Sequence, residues 1–163
     1  MSIPASSVPA ARLWLFKALA AQLTPDSGLV NGQGHYGDPN ASLLVCLDEP
    51  GTYQPADIVS VGRVARDISV SSMVGSGGAG WLEEHYTIAI VIEVARGDDA
   101  QSAFERAADL VDQVVAVVRT DPTLGGTVLV ARPTTNTIDV LWASDHTGRV
   151  GQAELSITCM QRI

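Results

Sequence analysis

The sequence contains few of the residues on which nucleic-acid binding depends. Lys17 is the only lysine, against nine arginines, and the formal net charge at neutral pH is −8. Proteins that wrap nucleic acids need Lys and Arg clustered on one face, and no such cluster is visible along this chain. The composition therefore argues against a function in which the protein surface holds DNA or RNA.

Cysteines and long apolar runs are also scarce. Cys46 and Cys159 are the only cysteines, and no second ligand-type residue stands at metal-binding spacing beside either of them. Each lies in an alternating apolar stretch, which predicts a small buried side chain rather than a disulfide. No apolar run approaches the ~20 residues that span a bilayer, and Met1–Pro9 lacks the basic start and apolar stretch of a signal peptide. We expect a soluble protein made in a cytoplasm.

The motifs that usually mark catalysis are incomplete. His35, His85 and His146 show no metal-ligand spacing, which argues against a zinc site. The glycine-rich stretch Gly75–Gly80 superficially resembles a phosphate-binding loop, but a strand pattern follows it instead of a helix and no lysine is near. The same stretch lacks the helix that must follow a nucleophilic serine. The sequence predicts no catalytic residue, no cofactor and no metal.

Two helices are the clearest predicted elements. The first covers 8–23, where Ala11, Leu15 and Leu19 share a stripe, and Thr24–Asp26 ends it. Ser6 or Ser7 is expected to cap its start. The second covers about 99–119, has a continuous apolar face, and is expected to begin with Asp98 as the cap and Gln101 at the capping-box position.

The remaining periodic segments alternate as strands do. They are predicted at 42–47, 57–64, 66–74, 85–94, 127–132, 137–143 and 150–162, and the segments on either side of the glycine-rich tip form a long hairpin. Residues 28–40 and 74–81 are expected to be flexible loops. Short connections and half-polar faces predict an α+β fold, a mainly antiparallel sheet with both helices packed against it, in one domain over 1–163.

The second half of the chain resembles a known family. The segments TIAIVIEVARGDDA, AFERAADLVDQVVAVVRT, DPTLGGTVLVA and GQAELSITCMQ follow one another as in the tail terminator proteins of long-tailed, siphovirus-type phages. The element DPTLGG at Asp121–Gly126 is the most characteristic local piece, because Pro122 stops the helix and the glycines let the chain reverse into the next strand. The resemblance covers about residues 64–163.

This resemblance implies a structural virion protein and no enzyme. Tail terminators form a ring, commonly a hexamer, at the head-proximal end of the tail tube, where they end tube polymerisation and join the tail to the head connector. The implied partners are other copies of the chain, the tail-tube protein and the head-completion protein, without a membrane. DNA would pass through the lumen without specific binding, in a virion assembled in the host cytoplasm. The alternatives are another head–tail junction or tube component, and a small enzyme or ligand-binding domain.

Eight residues are candidates for contacts with partners or with neighbouring subunits. The first helix carries apolar residues on more than one side, Tyr36 and Trp81 are aromatics in predicted loops, and arginine–carboxylate pairs are suited to cross the joints of a ring. The two loops are expected to become ordered against a partner, or alternatively to fold back on their own core. The candidates are Trp14, Phe16, Tyr36, Trp81, Glu83, Glu84, Arg106 and Arg119.

Overall fold

The fold consists of two helices and seven strands in a computed structural model that describes residues 5–24, 29–30, 35–38, 42–52, 54–72 and 81–163. The helices are α1 (Val8–Leu23) and α2 (Ala100–Thr120). The strands are β1 (Leu29–Val30), β2 (His35–Asp38), β3 (Leu43–Leu47), β4 (Asp57–Ser72), β5 (Trp81–Ala95), β6 (Val130–Trp142) and β7 (Arg149–Arg162).

All seven strands form one sheet in the order β1-β2-β3-β4-β5-β7-β6. Five of them, β3 to β7, make up most of the sheet, and β1 and β2 add a short antiparallel extension at one side. The pairs β4–β5, β5–β7 and β6–β7 are antiparallel, while β3 and β4 are parallel. The predicted α+β class with a mainly antiparallel sheet is therefore confirmed.

The main core lies between the helices and one face of the sheet. The alternation predicted for β5 is confirmed, since Tyr86, Ile88, Ile90, Ile92 and Val94 are all buried on the helix side. Both helices contribute buried stripes, with Leu15 and Leu19 from α1 and Leu110 and Val114 from α2 among them. Cys46 and Cys159 are buried free thiols, as their sequence context predicts. A second small cluster, Leu44, Cys46 and Ile58, lies on the opposite face of the sheet.

The start of α2 differs from the prediction by one residue. Asp99 is the cap, and its carboxylate accepts a hydrogen bond of 3.0 Å from the Ser102 backbone N–H. Gln101 does not reach back to a capping position, because its side-chain amide donates to Glu105 one turn later. Gly97, at a φ of +54°, turns the chain after β5 and leaves Asp99 rather than Asp98 in the extended conformation that a cap requires.

Two pairs of predicted strands are single, longer strands. The segments predicted at 57–64 and 66–74 are one strand, β4, with a bulge between Val61 and Val64. The segments predicted at 127–132 and 137–143 form β6, which starts at Val130 and has a bulge between Pro133 and Thr135. A bulge inserts one residue, so the side chains that follow it lie on the opposite face from the one that strict alternation predicts. Each of these long strands therefore resembles two separate strands in the sequence.

The predicted loops coincide only in part with described residues. Within 28–40, the backbone forms β1 and β2, where Tyr36 pairs with Val45 of β3, so these two segments are strands rather than loop. The backbone hydrogen bonds offered by the edge of β3 explain a pairing that a glycine-rich composition does not suggest. Trp81 opens β5, and residues 74–80 lie outside the described residues.

Candidate subunit interface

Two of the eight candidate interface residues are buried inside their own subunit. Phe16 of α1 is 4% exposed and belongs to the main core, while the side chain of Glu84 in β5 is fully buried. Because both side chains are buried, neither presents surface to a partner in this fold. The charge of Glu84 suggested an exposed position, but hydrogen bonds from residues distant in sequence stabilise its carboxylate in a buried one.

Glu84 receives three hydrogen bonds from the residues that lead into α1. The Ser7 backbone N–H and the Ser7 hydroxyl donate to one carboxylate oxygen at 2.6 and 2.5 Å, and the Ser6 hydroxyl donates to the other at 2.8 Å. The Arg66 guanidinium lies 3.6 Å away. Burial raises the pKa of Glu84, but the hydrogen bonds from Ser7 and Ser6 and the charge of Arg66 outweigh it, and the pKa lies below its ordinary value. The ionised carboxylate therefore joins the start of α1 to β5.

Ser7 takes the N-cap position of α1 without a capping hydrogen bond from its own side chain, while the Ser6 hydroxyl accepts a hydrogen bond of 3.2 Å from the Val8 backbone N–H. The Ser7 hydroxyl contacts Glu84 and the Tyr86 hydroxyl, the latter at 2.9 Å, instead of a backbone N–H of the helix.

Burial raises the pKa of Tyr86 well above its usual range and the pKa of Cys159 to about 12. Both groups are neutral at physiological pH, which suits a structural polar cluster.

Arg106 forms ion pairs within its own subunit. Its guanidinium lies 2.9 Å from Asp57 at the start of β4 and 2.7 Å from Asp109 one turn along α2. Asp57 is almost completely buried and also contacts Arg96 at 2.6 Å. Because this carboxylate bridges the start of β4, the end of β5 and α2, Arg106 is chiefly a structural residue of the subunit.

The other candidates with described side chains are accessible to different degrees. Trp14 is half-buried and lies against the Asp121–Gly126 turn, where a Cβ on Gly125 would come within 2.5 Å of its Nε1 atom. Glu83 is mostly buried and lies 3.4 Å from His85 and 3.6 Å from Arg162. Arg119 is exposed in the last turn of α2, where its charge complements the helix dipole. The side chains of Tyr36 and Trp81 lie outside the described residues.

The most exposed apolar side chains were not among the candidates, and several lie on β4 and β6. Ile68 and Val70 in β4 are 41% and 62% exposed, and Leu141 and Trp142 in β6 are each 51% exposed. Trp142 also stacks on the Arg149 guanidinium, 4.1 Å from the ring centroid. Their alternating sequence indicates a strand but not which strand is at an edge, so the sequence carries only an indirect signal for them. Further exposed apolar residues are Leu13, Phe104 and Leu129.

We name the outer part of β4, residues 63–72, its open half. β3 pairs only with 57–61, and no described strand pairs with the open half on the side away from β5. The Arg12 guanidinium donates to the Gly62 carbonyl at 3.0 Å, immediately before the open half begins. Residues 65–70 are all exposed, and the open half therefore presents backbone groups and apolar side chains together.

Two surface depressions lie on the described part of the chain. One, of about 490 Å³, lies beside Glu93, Gln152 and the β6–β7 turn, and another, of about 300 Å³, lies beside His85, Arg132 and Thr158. Within the described ranges, no three His, Cys, Asp or Glu side chains are grouped so that they could hold a metal ion.

Among the described residues, no helix is long and apolar enough to cross a membrane. Neither the protein-family models nor the curated proteins compared with the chain give a match.

Proposed function

We propose that this chain is the subunit of a closed ring at the head-proximal end of a phage tail tube, where it ends tube polymerisation and provides the surface that joins tail and head. The proposal starts from the resemblance of residues 64–163 to tail terminators. The strongest structural support is that two strand segments, the open half of β4 and the outer side of β6, have no partner strand among the described residues and carry large exposed apolar side chains.

Such an arrangement is costly in an isolated subunit. Exposed apolar side chains gain free energy when they leave water, and an unpaired strand edge is a template for another chain. Because the two edges are different surfaces of the same molecule, a contact between them is head-to-tail, and head-to-tail contacts generate a ring when the rotation closes. The exposed edges therefore support a ring-forming subunit.

The face of the sheet opposite the helices suits the lumen of such a ring. Its side chains are mostly small or polar, among them Thr87, Glu93, Glu154, Ser156 and Thr158. Acidic residues on this face would repel the phosphates of passing DNA, and few basic residues are available to retain it. The ring would thus allow DNA to pass without binding it specifically.

Assembly behaviour tests the proposal directly. We expect the purified chain, over a range of concentrations, to form one closed oligomer, with six subunits as the expected number, and to halt the growth of tubes formed by its tail-tube protein. Mass measurement in solution and electron microscopy of the tubes provide the readouts. An assembly that elongates without limit would favour a tube subunit, and a strictly monomeric chain that forms no ring on tails would rule the proposal out.

DNA binding provides a separate test. At physiological salt we expect negligible affinity for duplex DNA, because the net charge is −8 and counterion release needs several Lys or Arg contacts on one face. Fluorescence anisotropy with a short duplex at several salt concentrations measures this. Micromolar binding with a steep salt dependence would contradict the expected passive lumen.

A further inference from the structure

The open half of β4 and the outer edge of β6, the two edges that lack a described partner strand, match each other in direction. The four long strands lie in the order β4-β5-β7-β6, and every neighbouring pair among them is antiparallel. β4 and β6 therefore run in opposite directions at the two sides of this group. A second copy rotated about an axis along the strands would bring its β4 antiparallel to β6 of the first.

The two edges also match in length. On β6, the Ala131 N–H donates to the Pro122 carbonyl at 2.7 Å, and Pro133 and the bulge before Thr135 interrupt regular pairing. Beyond this point we name residues 135–142 the open stretch of β6. The described residues place no strand on its outer side, and it is comparable in length to the open half of β4.

The side chains of the two edges are compatible on both faces of the sheet. On the helix side, Ile68 and Val70 would meet the half-buried Ile138 and Val140, since their pairing partners in β5 and β7 lie on that face. On the opposite side, the exposed Ser69 would lie among exposed threonines of the open stretch. Apolar and small polar cross-strand pairs of this kind stabilise antiparallel sheets.

Charge favours the same match. The open half of β4 contains two arginines, Arg63 and Arg66, and one aspartate, Asp67. The open stretch of β6 contains Asp139 as its only charged residue. The two edges thus carry opposite net charge within a molecule that is acidic overall, and this difference opposes pairing of either edge with its own copy.

We propose that the open half of β4 pairs, antiparallel, with the open stretch of β6 of a second copy of this chain, so that the sheet continues from subunit to subunit. This inference rests on the proposed ring. It adds to it the two surfaces that form the joint and excludes the helices as the principal contact.

Mixed cysteine cross-linking tests this joint. One protein carries Ser69→Cys, and three others carry Thr135→Cys, Thr137→Cys or Asp139→Cys; all four positions are exposed and share the face of the sheet away from the helices. The native cysteines are buried. A disulfide needs Cβ atoms about 3.5–4.5 Å apart, so the three positions sample successive registers of the two strands. Leu13→Cys, on the exposed side of α1, is the matched control.

We expect the mixture of Ser69→Cys with one of the three β6 variants to give severalfold more cross-linked dimer than either protein alone or the mixture with Leu13→Cys. Cross-linking mainly within Ser69→Cys alone would indicate pairing of two β4 strands and overturn the inference. Equal yields with Leu13→Cys would also overturn it.

The mass of the assemblies separates failure of the joint from failure of the ring. A closed oligomer without cross-links at any of the three β6 positions would leave the proposed ring in place and refute this joint. A chain that stays monomeric at every concentration and forms no ring on tails would refute both.

Discussion

The two halves of β4 share one partner strand and yet differ in nearly every physical respect. Residues 57–61 lie between β3 and β5 beneath the helices, and Val59 and Val61 have no exposed surface. In the open half, which pairs with β5 alone among the described strands, Val70 is 62% exposed. Both halves have sequences that favour strands, yet residues 57–61 lie in the core whereas most of the open half faces solvent. Both halves pair with β5, so their difference in burial comes from β3 and the helices, which lie against residues 57–61.

Truncation of one isoleucine in each region should give the largest contrast. Ile90 of β5, which pairs with Val61 of the covered half, is fully buried, whereas Ile68 in the open half is 41% exposed, although both lie on the helix side of the same hairpin. We expect Ile90→Ala to lower the free energy of unfolding by about 2–5 kcal/mol, because it leaves a cavity. Ile68→Ala should change it by no more than about 0.5 kcal/mol. Urea unfolding measures both, and equal losses would show that the two halves are equally covered.

Glu84 pairs with Ile68 of the open half but is itself buried, and its removal should have the next largest effect. Glu84→Gln keeps the shape but weakens hydrogen bonds to a charged group, and we expect a loss of about 1.5–3 kcal/mol at neutral pH. Glu93→Gln, at an exposed position of the same strand, is the control and should have little effect. Thermal or urea unfolding provides the measurement.

The same variant has a defined pH dependence. The pKa of folded Glu84 lies below its ordinary value of 4.5, so its ionised form stabilises the fold fully above about that pH. This contribution is lost as the pH falls through the lower pKa of the folded state. The stability difference between wild type and Glu84→Gln should therefore shrink in acid, and a difference that stays constant down to pH values well below 4.5 would contradict the assigned hydrogen bonds.

Hydrogen exchange should resolve the two halves of β4 without any substitution. Amides in 57–61 lie between two strands, and we expect them to exchange only through large-scale unfolding. Amides of the open half should exchange faster in the dissociated subunit and gain protection when copies assemble. Equal protection of both halves in the monomer, or no gain on assembly, would show that the open half is covered by its own subunit.

The periodicity of apolar residues in the sequence was sufficient to predict the helices, the α+β class and the buried faces of β5 and β7. A period of 3.6 or 2 residues shows directly which side of a helix or strand is apolar. It failed at the bulges of β4 and β6, where one inserted residue changes the phase. It also failed for Phe16 and Glu84. An aromatic on a helix with several apolar sides, and a carboxylate beside a histidine, do not reveal whether other elements cover them.

The sequence by itself determined where the helices and most strands form, that both thiols are buried, and that the net charge is −8. The tertiary structure decided which strands stand at the edges of the sheet. It also decided that Glu84 is satisfied by Ser6 and Ser7, more than seventy residues earlier in the chain, and that Ile68, Val70 and Trp142 remain exposed. The physical reason is that strand pairing and burial depend on contacts between residues distant in sequence, whereas the periodicity of a segment reports only its own two faces.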